Sequence, residues 1–227
     1  KKTRLSDFSN PRKAGIIAVD LDEGDCLVGA AITDGKHDVM LFSDAGKAVR
    51  FDENDVRPMG RTARGVRGMN LGEGQEVIAM LVAPAEISEE ASMNTDTTAN
   101  DAPSSVLTAT ENGFGKRTPI AEYTRHGRGT KGMIAIQTSE RNGKVVAAAL
   151  VSPEDQIMLI TTGGVLVRTR VSEIREMGRS TQGVTLINVD EGTHLSGLQR
   201  IAESDSDDDA DELGEESDNL SESSGDA

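Results

Sequence analysis

The sequence predicts an all-β fold: a propeller-like β-pinwheel of four-stranded blades, with about three and a half blades in this chain. Three observations predict it. Gly46, Arg50 and Gly65 recur as Gly113, Arg117 and Gly132, and again as Gly164, Arg168 and Gly183, with steps of 4 residues from glycine to arginine and 19 from glycine to glycine. Each copy holds four short apolar stretches separated by turn residues, and no stretch sustains a helical period. A recurrence near 50 residues is the size of one supersecondary unit that stacks on its neighbours.

The elements follow in order. A truncated copy opens the chain, with Lys2 in the arginine slot and Gly15 in the second glycine slot. In the full copies the first strands are expected at 39–42, 106–109 and 157–160. Tight turns follow at Asp44-Ala45-Gly46, Glu111-Asn112-Gly113 and Thr162-Gly163-Gly164, where glycine supplies positive φ. The second strand carries the repeated arginine, as in Ala48-Val49-Arg50-Phe51. A polar connection leads to a third strand at 16–19, 66–71, 133–136 or 184–189, and the fourth lies at 27–32, 77–82, 145–151 or 195–201. The blade repeats fall near 1–36, 37–83, 104–152 and 153–202. The 67-residue step from Gly65 to Gly132, against 50 and 51 for its neighbours, places an acidic insertion at 83–105. That insertion reads as a mobile loop and 203–227 as a disordered acidic tail. The chain begins inside a repeat and reads as part of a longer protein, with further blades expected upstream of Lys1.

The formal net charge of −15 is unevenly placed. The tail holds 12 acids and no Lys or Arg, and the insertion holds five acids (Glu86, Glu89, Glu90, Asp96, Asp101) and no base. The remaining repeat body carries a net charge of +2. No apolar run approaches the roughly 18 residues of a membrane span. The single cysteine, Cys26, excludes an intrachain disulfide, fits a reducing cytoplasm and reads as a small buried thiol. Trp is absent and Phe and Tyr are few, so stacking on unpaired bases is not the expected binding mode.

No catalytic constellation is evident. His37, His126 and His194 stand far apart in unlike repeat slots, no metal spacing is present, and there is no phosphate-binding loop of the Walker type. Tyr123, the only tyrosine, shares its slot with Phe8, Val56 and Ile174, and so reads as a core side chain with a wet hydroxyl. Just before that slot stands an acid in every copy: Asp7, Asp55, Glu122 and Glu173. Arg50, Arg117 and Arg168 are therefore expected to pair with the acid of their own blade. These three, with Lys2 and Arg170, form a set that is either structural or a secondary DNA contact, the structural reading standing first.

The connection loops are the primary candidates for function. Every copy brings cations among Gly, Ser and Thr just before the same glycine: Arg12 and Lys13; then Arg57, Arg61, Arg64 and, just beyond the glycine, Arg67; then Arg125, Arg128 and Lys131; then Arg175 and Arg179. Small residues let a backbone approach a phosphate, and Arg and Lys neutralise it. Four such loops at one repeat slot would set cations at regular intervals along one rim, as a bent duplex requires.

With these loops in view, the chain resembles the family of bacterial DNA gyrase A C-terminal domains along nearly all of 1–202. The resemblance rests on Val49-Arg50-Phe51, Val56-Arg57-Pro58-Met59-Gly60, Thr62-Ala63-Arg64-Gly65-Val66-Arg67-Gly68, Gly115-Lys116-Arg117-Thr118, Thr130-Lys131-Gly132, the segment from Leu166 to Ile174, and Thr181-Gln182-Gly183-Val184. It implies a six-bladed pinwheel that wraps duplex DNA around its rim, giving direction to ATP-dependent negative supercoiling. It also implies gyrase B and the rest of gyrase A as partners in an A2B2 enzyme at the bacterial nucleoid. No membrane partner and no cofactor are expected for this chain. The family's basic, glycine-rich box of the first blade is absent, as are the active-site tyrosine and the ATPase subunit. The related topoisomerase IV subunit ranks second, and a protein-interaction propeller is the rival from another class. The acidic tail is expected either to compete with DNA for the basic rim or simply to solubilise.

Overall fold

The glycine that closes each first hairpin adopts a backbone that other residues avoid. In the computed structural model, which describes residues 1–85 and 104–201, Gly46, Gly113 and Gly164 have φ of 73°, 80° and 81°. These turns join β1 (His37–Ser43) to β2 (Lys47–Asp52), β4 (Ser105–Thr110) to β5 (Phe114–Pro119), and β8 (Gln156–Thr161) to β9 (Leu166–Arg170). The three hairpins share one register, with Arg50 opposite Met40, Arg117 opposite Leu107 and Arg168 opposite Met158. The fourth strands β3 (Val77–Pro84), β7 (Val145–Val151) and β11 (Leu195–Ile201) add antiparallel to the first strand of their own copy.

The third strands do something else: they cross to the preceding copy. β6 (Met133–Ile134) pairs with β2 through Ala48 opposite Met133, and β10 (Val184–Thr185) pairs with β5 through Gly115 opposite Val184. The sheets therefore run β3-β1-β2-β6, β10-β5-β4-β7 and β11-β8-β9, each full sheet borrowing its edge strand from the next copy. These third strands are two residues long, shorter than expected. They stop because the next two N–H groups, of Ala135 and Ile136 or of Leu186 and Ile187, both turn to the carbonyl of the first glycine, Gly46 or Gly113.

That bond brings backbone against backbone. A Cβ on Gly113 would lie 2.2 Å from the Ile187 carbonyl oxygen, whereas at Gly164, where no later copy packs among the described residues, nothing lies within 4 Å. Alanine at Gly164 should cost only the left-handed backbone penalty, roughly 1–2 kcal/mol. At Gly113 it should cost distinctly more, because the interlock must open. Denaturant unfolding of the two variants checks this order.

The first copy departs from expectation. Residues 16–19, 27–32 and 66–71 form no strand, no residue before Asp38 is buried, and Ile17, Leu27 and Ile32 are exposed. In the other copies the fourth strand pairs with its own first strand, and in the third and fourth copies the third strand pairs with a preceding second strand. Among the described residues the first copy has neither partner. Within 66–71, Met69 makes one parallel bridge, to Thr130, and the short segment around Lys2 bridges Pro58 instead. Cys26, expected to be buried, lies in this unpaired stretch and is exposed.

The core sits between sheets. Met40, Phe42, Ala48, Ala79 and Ala83 meet Val106, Ile120, Tyr123 and Ala135 across the first junction. Leu107, Ala109 and Val151 meet Ile157, Leu159, Val171, Ile174, Ile187 and Leu195 across the second. Tyr123 is a core residue as its slot predicts, its ring edge-on to Phe42 with centroids 6.0 Å apart. Its hydroxyl is buried rather than wet, and burial pushes the phenol up. β3 runs on to Pro84 and β4 begins at Ser105, so both ends of the segment read as an insertion at 83–105 are strand. Residues 86–103 and the tail 203–227 lie outside the described residues. No helix among the described residues is long and apolar enough to cross a membrane.

Candidate nucleic-acid interface

The swapped third strand fixes where the loops go, because each connection must run along the free edge of the preceding second strand to reach it. One backbone bond recurs there in every junction. Met59, His126 and Met177, each nine residues after the arginine slot, donate their N–H to the carbonyl of Lys2, Arg50 and Arg117 at 2.9, 2.8 and 2.9 Å. A second bond ties loop to loop: the N–H of Asn70 donates to the Thr130 carbonyl, and that of Gln137 to the Thr181 carbonyl. The second glycine makes the approach possible. Cβ atoms at Gly132 and Gly183 would lie 2.5 and 2.6 Å from the carbonyl oxygens of Ala48 and Gly115. Loops 57–64, 125–131 and 175–182 thus occupy equivalent places on successive blades.

The repeated arginine is structural, but its partner differs from the expected one. No ion pair joins Arg50 to Asp55, Arg117 to Glu122 or Arg168 to Glu173 among the described residues. Arg50 is buried; it pairs with Asp38 (Nε to Oδ2, 2.7 Å) and donates from Nη1 to the carbonyls of Ile120 and Tyr123, both at 3.1 Å. Arg117 donates from Nε to the Ile174 carbonyl at 2.7 Å. Tyr123 and Ile174 follow short 3-10 turns at Ile120–Glu122 and Val171–Glu173. The guanidinium thus supplies a donor to the main chain just past a 3-10 turn of the next copy. The acids expected to pair, Asp55, Glu122 and Glu173, stay exposed. Arg168 meets no later copy among the described residues and donates to the side chain of Gln156. Arg170 is exposed on β9.

Lys2 is also structural. Its ammonium lies 2.8 Å from Oε2 of Glu53, a buried carboxylate that further accepts from Thr33 Oγ1 and from the N–H groups of Gly35 and His37. Burial opposes the charge on Glu53, but the Lys2, Thr33 and backbone hydrogen bonds outweigh it and hold the carboxyl at about 2. Because the folded value is depressed, the stabilisation is full above the ordinary value of 4.5 and is lost as pH falls from there towards 2. Unfolding followed between pH 7 and pH 2 should lose this contribution, and Glu53→Gln should flatten the decline. Asp34 and His37 also reach Glu53, with ligand atoms within 4.8 Å of one another. With the Lys2 ammonium already on Glu53, this is an ion-pair cluster.

Sequence reasoning misses a lysine slot one residue before the arginine. Lys1 donates to the carbonyls of Gly60 and Arg61, and Lys116 donates to those of Gly178 and Arg179, the equivalent loop positions two copies on. Lys116 is fully buried, and burial pushes its ammonium down to about 8. The intervening copies hold Val49 and Val167. Beside Val49 an open cavity remains, lined by Ala48, His126, Gly127 and Lys131. The alternation Lys1, Val49, Lys116, Val167 is readable by aligning the copies one residue upstream of the arginine.

The loop cations divide into two groups. Arg12, Lys13, Arg57, Arg67, Lys131 and Arg175 are exposed. Their side chains make no hydrogen bond or ion pair among the described residues. The others are engaged. Arg64 pairs with Asp20 and Asp22. Arg125 lies 2.8 Å from Oδ1 of the buried Asp38 and 3.6 Å from Asp52. Arg61, Arg128 and Arg179 each donate to a main-chain carbonyl of the preceding copy.

Interlocked four-stranded blades with a cationic, glycine-rich loop at every junction define a pinwheel-type repeat scaffold. The chain belongs to the DNA gyrase C-terminal domain family, a beta-propeller family whose model matches residues 1–34, 37–84, 104–152 and 155–202. It is 51% identical over 211 residues to the DNA gyrase A protein of Pseudomonas aeruginosa and 47% identical over 213 residues to that of Escherichia coli. Those alignments take in 93% and 94% of this chain but 21% and 22% of the relatives, so the chain spans about a fifth of their length. A solved DNA gyrase A C-terminal domain superposes with a TM-score of 0.70 at 27% identity, covering 84% of this chain and 59% of that one. The C-terminal domain of DNA topoisomerase IV superposes with a TM-score of 0.75 at 23% identity, over 88% of this chain and 57% of that one, a likeness of fold alone.

Proposed function

We propose that this chain is the accessory domain of gyrase A that binds duplex DNA by its phosphates and bends it along the loop rim, giving direction to ATP-dependent negative supercoiling. The single observation that carries the reading is a set of cations, on equivalent loops, that have no partner among the described residues: Arg57 on the first, Lys131 on the second and Arg175 on the third, with Arg67 between and Arg12 and Lys13 ahead. Phosphate contacts carry no sequence information, so binding is sequence-tolerant. Bending 20–30 bp by 40–90° costs about 1–6 kcal/mol, which one cation cannot offset but a series of loops can. Arg64 joins the series by exchanging Asp20 and Asp22 for phosphate, since an exposed ion pair is worth only about 0–1 kcal/mol. Arg50, Arg117 and Lys2 act within the scaffold.

In this reading the chain supplies no catalytic group and works as part of an enzyme with the rest of gyrase A and with gyrase B. The test is a salt titration of the full-length gyrase A protein on duplexes of unrelated sequence. Affinity should be the same for each sequence, and log K should fall linearly with log salt, by roughly 0.9 for each phosphate contacted. Salt-insensitive binding, or a strong preference for one sequence, would reject the reading.

A further inference from the structure

The cation eleven residues after the repeated arginine makes the same bond at every junction. Arg61 Nη1 donates to the Ile17 carbonyl at 2.7 Å, Arg128 Nη1 to the Arg67 carbonyl at 3.1 Å, and Arg179 Nη1 to the Ile134 carbonyl at 3.2 Å. Ile17, Arg67 and Ile134 all stand two residues after the second glycine of the preceding copy. Arg128 is held a second time, from Nε to the Asp55 carbonyl at 3.2 Å. The main chain of the Arg179 loop is fixed as well: its N–H donates to Glu122 at 3.0 Å, and its carbonyl accepts from Lys116 at 2.6 Å. Three independent copies of one geometry, each spanning two repeats, are not the disposition of free phosphate ligands.

We infer that Arg61, Arg128 and Arg179 are positioning residues: each staples its loop to the blade before it and so sets the spacing between successive phosphate-binding loops. Arginine suits the task because its planar fork holds several N–H donors in fixed directions, so that one can be aimed at a carbonyl. Arg128 matters most. At its junction Val49 stands where the neighbouring junctions have Lys1 or Lys116, and the Arg128 guanidinium, bonded to both the Asp55 and Arg67 carbonyls, joins Arg125 on Asp38 in tying loop 125–131 to the copy before it. Lys131 and Arg67, the free cations at this junction, keep their separation through that tether.

The inference rests on the proposed DNA-binding reading, and the experiment separates the two. In the full-length protein with Cys26 and every other cysteine replaced by serine, spin labels at Thr62→Cys and Thr124→Cys report the distance between the first two loops without DNA. Arg128→Gln should broaden that distribution, and Arg128→Lys, which keeps a donor, should restore part of it. With an end-labelled duplex, Arg128→Gln should weaken bending of the bound complex while leaving the salt slope unchanged. A drop in slope of about 0.9 with bending intact would make Arg128 a phosphate contact and overturn the inference. An unchanged distance distribution would overturn it too. If the parent protein neither binds nor bends DNA in a salt-dependent way, the functional reading fails while the distance measurement still judges the staple.

Discussion

Replacing Arg57, Arg67, Lys131 and Arg175 together by alanine should lower the salt slope of duplex binding by roughly 3–4, since each lost phosphate contact removes about 0.9. Near 0.1 M salt the same term corresponds to an affinity loss on the order of 10³-fold. The effect should be large because these side chains have no other occupation: none makes a hydrogen bond or ion pair among the described residues. For the same reason folding stability should stay within about 0.5 kcal/mol of the parent. The comparison is sharpest against a variant carrying Arg61→Gln and Arg179→Gln, whose guanidinium groups hold main-chain carbonyls. That variant should keep its slope. Equal slope losses in the two variants would mean that engaged and free cations contribute alike, and the division drawn from the structure would be wrong.

Arg50→Ala should be the most damaging of the three substitutions in the repeated arginine slot. It removes one partner of a buried pair with Asp38, which is 0% exposed, and the donors to the Ile120 and Tyr123 carbonyls. Breaking a buried ion pair from one side costs about 3–5 kcal/mol. Arg125, 2.8 Å from the other Asp38 oxygen, moderates the loss towards the lower end of that range. Arg117→Ala leaves one carbonyl, that of Ile174, without its donor and should cost about 1–3 kcal/mol. Arg168→Ala exposes nothing new and should lie within about 1 kcal/mol of the parent. Chemical denaturation of the three variants reads the order directly. Equal losses at Arg50 and Arg168 would contradict the view that this slot works by holding the following copy.

Much of the fold is legible in the sequence because the repeat is strict where backbone meets backbone. The first glycine is constrained by its left-handed φ and by the carbonyl it offers to the next copy, so it recurs at fixed spacing and marks the hairpins. The fourth strands at 145–151 and 195–201 are legible to the residue, because apolar length and flanking turns define a strand that pairs within its own copy. The third strands are shorter than their apolar runs suggest. Those runs continue past Ile134 and Thr185, but Ala135, Ile136, Leu186 and Ile187 bond to a glycine carbonyl instead of a ladder. Hydrophobicity reports burial and does not report which acceptor an N–H finds.

The same limit governs the site. Position in a repeated loop identifies the cations, but whether a guanidinium is free depends on carbonyls contributed by another copy. Arg61 and Arg57 look alike in sequence; only the fold places the Ile17 carbonyl beside the first. The acid-pairing expectation for Arg50 fails for this reason as well. Asp55 is the nearest acid in its slot, yet the strand register puts Arg50 beside Asp38, and the swapped connection brings the Tyr123 carbonyl within reach. Cys26 departs from its expected burial because local apolarity does not bury a segment that has no strand partner among the described residues.

In the proposed function, cations on successive blades hold one duplex along a curved path. Fluorescence transfer between dyes at the two ends of a 20–30 bp duplex, measured on the full-length protein while salt is raised, tests it most directly. The ends should approach on binding, the approach should disappear with rising salt together with binding, and the variant lacking Arg57, Arg67, Lys131 and Arg175 should fail to bring them together. A duplex that binds with undiminished affinity while its ends stay as far apart as in free DNA would contradict it.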